Sequence, residues 1–299
     1  MYNTLITAFL NYITYEKKYS NHTYTAYSTD LTAFQKYCNK HFKETNIEQA
    51  NYQHIRFWIV ALVNKGISNR TVNRKISSLK SFYDFMLKIE EIKSNPLATH
   101  KALKTQNNIS IPFTEKEVTQ VTDELKDKSD FEELRNYLII ELLYSTGIRK
   151  AELINIKEED LDLNSKTLKI LAKKNKERYV ILLPYIVKTI KLYLNQKSKL
   201  KAKTVNNYLL ITKKGVKLYE TLVYRIVNTY FSKVSPKAKK SPHILRHTFA
   251  SHLLNNGASL NSVKELLGHS SLASTQVYTH SSLEEIKKVF HKTHPRGSS

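Results

Sequence analysis

The sequence predicts a mainly α protein: an N-terminal four-helix domain followed by a mixed α+β domain with a small antiparallel sheet. Three observations predict it. Apolar residues recur at three- and four-residue spacing from Leu5 to Met86, the period of helices with one buried face. A polar, irregular stretch at 97–112, entered through Asn95-Pro96 and closed by Pro112, then breaks the pattern. Beyond it the helical period is interrupted between Thr167 and Leu183 by two β-rich runs, TLKILAK and ERYVILL. The expected boundaries are 1–104 for the first domain, 105–112 for a linker and 113–299 for the second domain.

In the first domain, Leu5, Phe9, Tyr12 and Ile13 draw one helix. Tyr24, Tyr27, Leu31 and Phe34 draw a second behind a Ser20–Thr23 start, and Ile55, Trp58, Ile59 and Leu62 a third, ended by Gly66. Ser68 caps a fourth that carries Val72, Ile76, Leu79, Tyr83 and Met86. The outward positions of this fourth helix, Arg70, Asn73, Arg74, Ser77 and Lys80, form a strip of donors with no carboxylate among them. Such a strip is either an ordinary solvated face or a DNA-facing one. In the second case the guanidiniums serve phosphates or guanine edges, and Asn and Ser make closer polar contacts.

The second domain opens on a capping box, Thr114-Glu115-Lys116-Glu117. An apolar helix over Leu134–Tyr144 stops at Ser145-Thr146-Gly147, and another begins just past Arg149. An arginine after a glycine turn, at the start of a helix, has its head group near a positive helix end where an anion is also welcome. Glu152, one turn on, is placed to orient it. Lys174-Asn175-Lys176 joins the two β-rich runs as a hairpin, with Lys173 at its tip and Lys174, Lys176 and Arg178 nearby. Tyr208–Thr212 reads as a third strand, followed by a Lys213-Lys214-Gly215 turn and a helix over about Glu220–Val234.

Residues 241–280 carry the densest chemistry. Ser241-Pro242 is a helix start, a hydroxyl cap with proline where the first amide would be unpaired. Leu245, Phe249 and Leu253 mark the buried stripe, and Asn256-Gly257 closes the helix. His243 and Arg246, three apart, are expected on one face as a fixed imidazole–guanidinium pair. His247 and His252 are read as core or supporting residues. His269 and Tyr278 would point to opposite sides of one unbroken helix, so a break at Ser270-Ser271 is needed for them to converge. Gly147 and Gly268 sit beside Arg149 and His269, where a positive φ or a close backbone approach is expected. A last amphipathic helix over Leu283–Phe290 has little chain left to pack against, so it is expected to dock onto a neighbouring molecule.

The bulk properties point to a polyanion. Lys and Arg exceed Asp and Glu by a formal charge of +22, and the pI is near 9.7, which favours nucleic acid over a membrane surface as partner. A single cysteine, Cys38, allows no internal disulfide. No start resembles a signal peptide, and the longest apolar runs are interrupted by Glu141 and Pro184, so a soluble intracellular protein with no membrane anchor is expected.

A phosphodiester suits a cluster of Arg149, Lys173, His243, Arg246, His269 and Tyr278. Two guanidiniums offer paired hydrogen bonds to non-bridging oxygens and remain charged while charge builds on phosphorus. A phenol with a pKa near ~10 is about a thousandth ionised at neutral pH, a deficit of ~4 kcal/mol that a base such as His243 must offset. The departing 5′ oxygen needs a proton, and a lysine on the hairpin tip is a reasonable acid. A metal site at His243 and His247 is the rival reading, without an HExxH pattern or a carboxylate cluster in support.

Taken in order, TGIRKAEL, AKKNKER, HILRHTFASHLLNNG, LGHSS and QVYTH resemble the tyrosine recombinase, or lambda-integrase-like, family across the second domain. YSNHTYTAYSTDLTAF and GISNRTVNRKISSLKSFY are similar to that family's SAM-like core-binding domain. With no amino-terminal arm-binding extension and a tail reading HKTHPR, the chain most resembles the Xer-type members. The resemblance implies catalytic arginines at Arg149 and Arg246, a hairpin lysine at Lys173, histidines at His243 and His269, and a nucleophile at Tyr278. Ala172-Lys173-Lys174 stands where the family usually has Gly-Lys-Gly, which leaves Lys174 or Lys176 as alternative acids.

The same resemblance implies a 3′-phosphotyrosyl intermediate, a Holliday junction and neither metal nor nucleotide cofactor. It implies a double-stranded recombination site as partner, with self-association to a tetramer through the C-terminal helix or pairing with a paralogous recombinase. Xer-like resolution of chromosome or plasmid dimers, in the cytoplasm at the nucleoid, is the expected role. Integration of a mobile element is the alternative, ahead of type IB topoisomerase-like or non-catalytic DNA binding.

Overall fold

The computed structural model describes residues 4–42, 46–105, 110–171, 177–200, 207–268, 289–290 and 292–296. The chain divides into two units, Met1–Asn108 and Ile109–Ser299.

In the first unit, α1 (Thr4–Asn11) runs on through a π-helical turn at Tyr12–Glu16 and is followed by α2 (Asn21–His41), α3 (Tyr52–Asn64) and α4 (Asn69–Lys88). The starts are set by side chains. Ser20 accepts from Thr23 N at 3.3 Å, Asn51 from His54 N at 3.1 Å and Ser68 from Thr71 N at 3.4 Å, each satisfying an amide that the helix cannot. The core is aromatic, built around Phe9, Phe34, Trp58, Phe82 and Tyr83, and Tyr83 Oη donates to Ile47 O at 2.7 Å. Asp30 of α2 is fully buried. It accepts from Arg74 at 2.6 and 3.0 Å, Lys75 at 2.9 Å and Ser78 at 2.8 Å, all on α4, so one carboxylate fastens the two helices.

The second unit contains α5 (Glu115–Leu125), α6 (Phe131–Thr146), α7 (Lys150–Leu153), β1 (Leu161–Asp162), β2 (Thr167–Leu171), β3 (Glu177–Ile181), α8 (Pro184–Ser198), α9 (Glu220–Val234), α10 (Pro242–Asn255) and α11 (Leu260–Leu266). The capping box expected at Thr114 is present, with Glu117 N donating to Thr114 Oγ1 at 3.2 Å and Thr114 N to Glu117 Oε2 at 2.7 Å. Helix α6 is the centre, buried on almost every side by α5, α8 and α10. Its Glu141, which interrupts the apolar run, accepts from Tyr185 at 2.8 Å and from the Arg296 guanidinium. Phe113 is pinned to α10. Its N–H donates to Thr248 at 2.9 Å, and its carbonyl accepts from His252 Nε2 at 3.0 Å. Because a carbonyl only accepts, His252 carries its proton on Nε2, and Nδ1 accepts from Tyr144 Oη at 3.0 Å.

The sheet has the order β1-β2-β3, all antiparallel, with Leu168 opposite Val180 and Ile170 opposite Arg178. Tyr208–Thr212 is not its third strand. Leu209, Leu210 and Ile211 are buried in succession rather than alternately, and the segment's backbone groups are divided between scattered backbone partners, such as Leu209 N on Ile156 O and Thr212 N on Val216 O, and side chains. The buried Lys197 ammonium donates to the carbonyls of Tyr208 and Leu209 and to Glu158, while Ile211 N donates to Tyr193 Oη at 3.2 Å. Among the described residues only single bridges, Lys157–Tyr208 and Ile211–Lys217, join the segment to other backbone as a strand would. Ser241 stands at the start of α10, but its hydroxyl makes no capping bond; its carbonyl receives the amides of Ile244 and Leu245 instead.

Phe290 is 1% exposed with its ring tilted 6.5 Å from that of Phe249, Asn256 donates to Thr293 O at 3.0 Å, and Arg296 reaches Thr122 at 2.7 Å. Phe290, Thr293 and Arg296 therefore pack on their own unit; the rest of the expected last helix lies outside the described residues. Among the described residues no helix is long and apolar enough to cross a membrane.

Gly147 ends α6 at φ +60°, and a Cβ there would lie 2.5 Å from Phe249 Cδ1 and 2.8 Å from Leu267 Cδ2. Gly66 has φ +76° but open space around it. Gly147→Ala is expected to lower the stability of its unit by ~2–5 kcal/mol, and Gly66→Ala its own by ~1–2 kcal/mol. Urea unfolding of each variant reads this, and equal losses would contradict the packing at Gly147.

Candidate active site

The site begins at the turn that closes α6. The left-handed Gly147 aims its carbonyl at α10, where Arg246, 7% exposed, donates to it through Nη1. Arg246 Nη2 donates at 2.8 Å to Leu267 O at the end of α11. One guanidinium thus fastens two turns from distant parts of the sequence. Arg149 emerges two residues after Gly147, at the start of α7. Its N–H and Nη1 donate to Glu152 at 2.8 and 2.7 Å, the reciprocal half of a capping box, and its side chain is 39% exposed.

The sequence suggested an orienting role for Glu152; the structure adds a second cation that it did not suggest. Arg178 of β3 grips both oxygens of Glu152 at 3.1 and 2.8 Å and is 3% exposed. Burial alone would raise the Glu152 pKa. The hydrogen bonds and charge of Arg178, with the Arg149 amide and guanidinium, outweigh it and hold the pKa at about 2. Arg246 is lowered to about 10, first by burial and then by the neighbouring Arg149 guanidinium, and so stays charged at neutral pH. Arg149 and Arg178 share the Glu152 carboxylate, and Arg246 lies near enough to feel the charge of both Arg149 and Glu152, an excess of positive charge that an anion would complete. Arg149 and Arg246 are brought together.

The remaining expected residues fall as follows. His243 is exposed on the first turn of α10, and no hydrogen bond joins it to Arg246 among the described contacts, because that guanidinium is committed to backbone carbonyls. Of the two histidines read as core or supporting residues, His247 is exposed, since α10 turns it outward between buried Arg246 and Thr248, and His252 is buried. Lys173, with Lys174 and Lys176, and His269 and Tyr278 lie outside the described residues, as does the break at Ser270-Ser271. Among the described residues no group of three or more His, Cys, Asp or Glu side chains is gathered as for a metal.

On α4, Arg70, Arg74, Ser77 and Lys80 are exposed and Asn73 half-buried. The strip is not free of carboxylate, because Asp30 from α2 lies beside it and grips Arg74 with both oxygens. Asn73 donates to Leu103 O at 2.8 Å and accepts Leu103 N at 2.9 Å, so its amide holds the chain that follows the unit's last helix. A signal for Arg178 did exist. On the strand ERYVI the period of two puts Arg178 on the face of Val180, inward, rather than with the basic tip.

Residues 112–285 match the phage integrase family, and residues 6–89 match the phage integrase N-terminal SAM-like domain. The chain is 38% identical over 296 residues to tyrosine recombinase XerC of Bacillus pumilus, covering 98% of this chain and 96% of that one. It is 39% identical over 290 residues to tyrosine recombinase XerC of Listeria innocua, covering 96% of each. In fold it is similar to the Tn1549 transposon integrase in complex with transposon right end DNA (TM-score 0.72, 18% identity, 96% and 99% of the two chains). It is likewise similar to the XerH site-specific recombinase bound to difH substrate (TM-score 0.70, 21% identity, 94% and 93%). The chain belongs to the phage integrase family and is a site-specific tyrosine recombinase of Xer-like kind, an enzyme that cleaves and rejoins DNA.

A depressed carboxyl pKa contributes stability that is present above the unfolded value of 4.5 and lost as pH falls towards about 2. Wild type should therefore lose about 3 kcal/mol of unfolding free energy relative to Glu152→Gln between pH 5 and pH 2. Chemical denaturation at stepped pH measures the difference; a constant gap would mean that Glu152 is not held by the arginines.

Proposed function

We propose that this recombinase acts on a double-stranded recombination site by Xer-like resolution of chromosome or plasmid dimers, in the cytoplasm at the nucleoid. The full-length relatives named XerC support the Xer-type role. The observation that carries the site is that Arg246 is fastened to the carbonyl of Gly147, two residues before Arg149, whose own guanidinium is held by Glu152. In this reading the two guanidiniums hold the non-bridging oxygens of the scissile phosphate and stabilise charge gathering there in the transition state.

Tyr278 Oη attacks phosphorus, its proton passing to His243, while the bond from phosphorus to the 5′ oxygen breaks. Lys173 gives that oxygen a proton, and His269 serves as a second imidazole donor to the phosphate. The product is a 3′-phosphotyrosyl ester with a free 5′ hydroxyl. Attack by the 5′ hydroxyl of a partner strand reverses the same steps, frees the phenol and conserves the bond energy, so joining needs no nucleotide. Paired exchanges pass through a Holliday junction within a tetramer, assembled through the C-terminal helix from one recombinase or from two paralogues. On α4, Arg70, Arg74, Ser77 and Lys80 face the duplex; Asp30 fixes the Arg74 fork, and Asn73 supports the following chain.

Incubation with a nicked suicide duplex carrying the recombination site should give wild type a covalent adduct on a denaturing gel, and Tyr278→Phe none. An adduct in both would mean another nucleophile. Lys173→Ala should cleave a 5′-thio substrate, whose leaving group needs no proton, far better than the normal one. Rescue of Lys174→Ala instead would move the acid to Lys174.

A further inference from the structure

The reaction as drawn leaves Arg178 without a task. Strand β3 turns it inward opposite Ile170, beside Leu168 and Val180, and it is as buried as Val180 at 3% exposure. A cation on the apolar face of a sheet is costly unless fully paired. Both Nη groups grip Glu152, the planar fork that lysine cannot supply. The same two oxygens hold Arg149 by its amide and its Nη1, so Arg149 is held, at one remove, from β3.

The other edge of Arg178 meets the turn after α11. A Cβ at Gly268 would stand 2.8 Å from Arg178 Cδ and 3.1 Å from Nε, so the glycine lets the arginine lie against the backbone. Gly268 directly follows Leu267, whose carbonyl takes Arg246 Nη2, and directly precedes His269. Arg178 Nε is buried and meets no acceptor among the described residues. An arginine kept here with one donor unsatisfied is held for where it places Glu152 and the turn rather than for its own pairing.

We propose that Arg178 is a positioning residue for strand cleavage: through Glu152 it sets the guanidinium of Arg149, and through Gly268 it seats the turn that Arg246 grips. The strand β3 is thereby joined to both arginines. The inference rests on the phosphate-binding site proposed above.

Single-turnover cleavage of the suicide duplex, with duplex affinity measured in parallel, tests it in a double-mutant cycle of Arg178→Met and Arg149→Ala. Arg178→Met should bind duplex as wild type does and cleave about 100-fold more slowly, the scale of a small misplacement of a reacting group. Added to Arg149→Ala it should cost about 10-fold rather than the full 100-fold, because one of the two arginines it positions is already gone. Full additivity, or wild-type cleavage by Arg178→Met, overturns the proposal. If Arg178→Met does not fold, Arg178→Lys, which keeps the cation and loses the fork, carries the same cycle. Failure of both to fold assigns Arg178 to stability and overturns the positioning role. Wild-type cleavage by Arg149→Ala would sink the proposed site itself, a separate result.

Discussion

The second unit depends on one carboxylate. Glu152 is 8% exposed, and an acid buried to that degree stays ionised only because Arg178 and Arg149 surround it. Removing one partner from such a cluster leaves an uncompensated charge and typically costs ~3–5 kcal/mol, so its members hold one another in place. The strand β3, the short helix α7 and the turn at Gly147 meet there, and Arg246 adds the end of α11 through Leu267.

The same device recurs elsewhere. Asp30 fixes Arg74 and Lys75 between α2 and α4, and Glu141 holds Arg296 against the central helix. Burial raises the Glu141 pKa, with Arg296 acting against it. A chain with a formal charge of +22 must keep its cations from repelling one another, and buried acids give chosen arginines a fixed geometry while the surface stays positive. The fold of a DNA-cleaving enzyme thus keeps acids inside, beneath the basic residues they orient.

Local signals carried much of this architecture. Ser20, Ser68 and the Thr114–Glu117 box start helices where a hydroxyl can meet an orphan amide, and the Gly147, Gly257 and Gly268 turns have the positive φ that their positions called for. What escaped was set by partners far away in sequence. Tyr208–Thr212 has the composition of a strand, but Lys197 and Tyr193 take its backbone groups. Arg246 sits near His243 in sequence, yet its guanidinium answers carbonyls 99 and 21 residues away. By charge Arg178 reads as one more basic residue near a hairpin tip, whereas the strand's alternation turns it inward. Asp30 was invisible beside α4 for the same reason: nothing near it in sequence announces that it lies among the α4 donors.

The central claim is that Arg149 and Arg246 meet negative charge on one phosphate. Replacing a non-bridging oxygen of the scissile phosphate by methyl removes that charge without removing the bond to be broken. Cleavage of phosphodiester and methylphosphonate suicide duplexes by wild type, Arg149→Ala and Arg246→Lys measures the claim directly. Each substitution should cost ~100-fold or more on the charged substrate and far less on the neutral one. Equal losses on both would contradict it, and would leave the two arginines as supports of the fold alone.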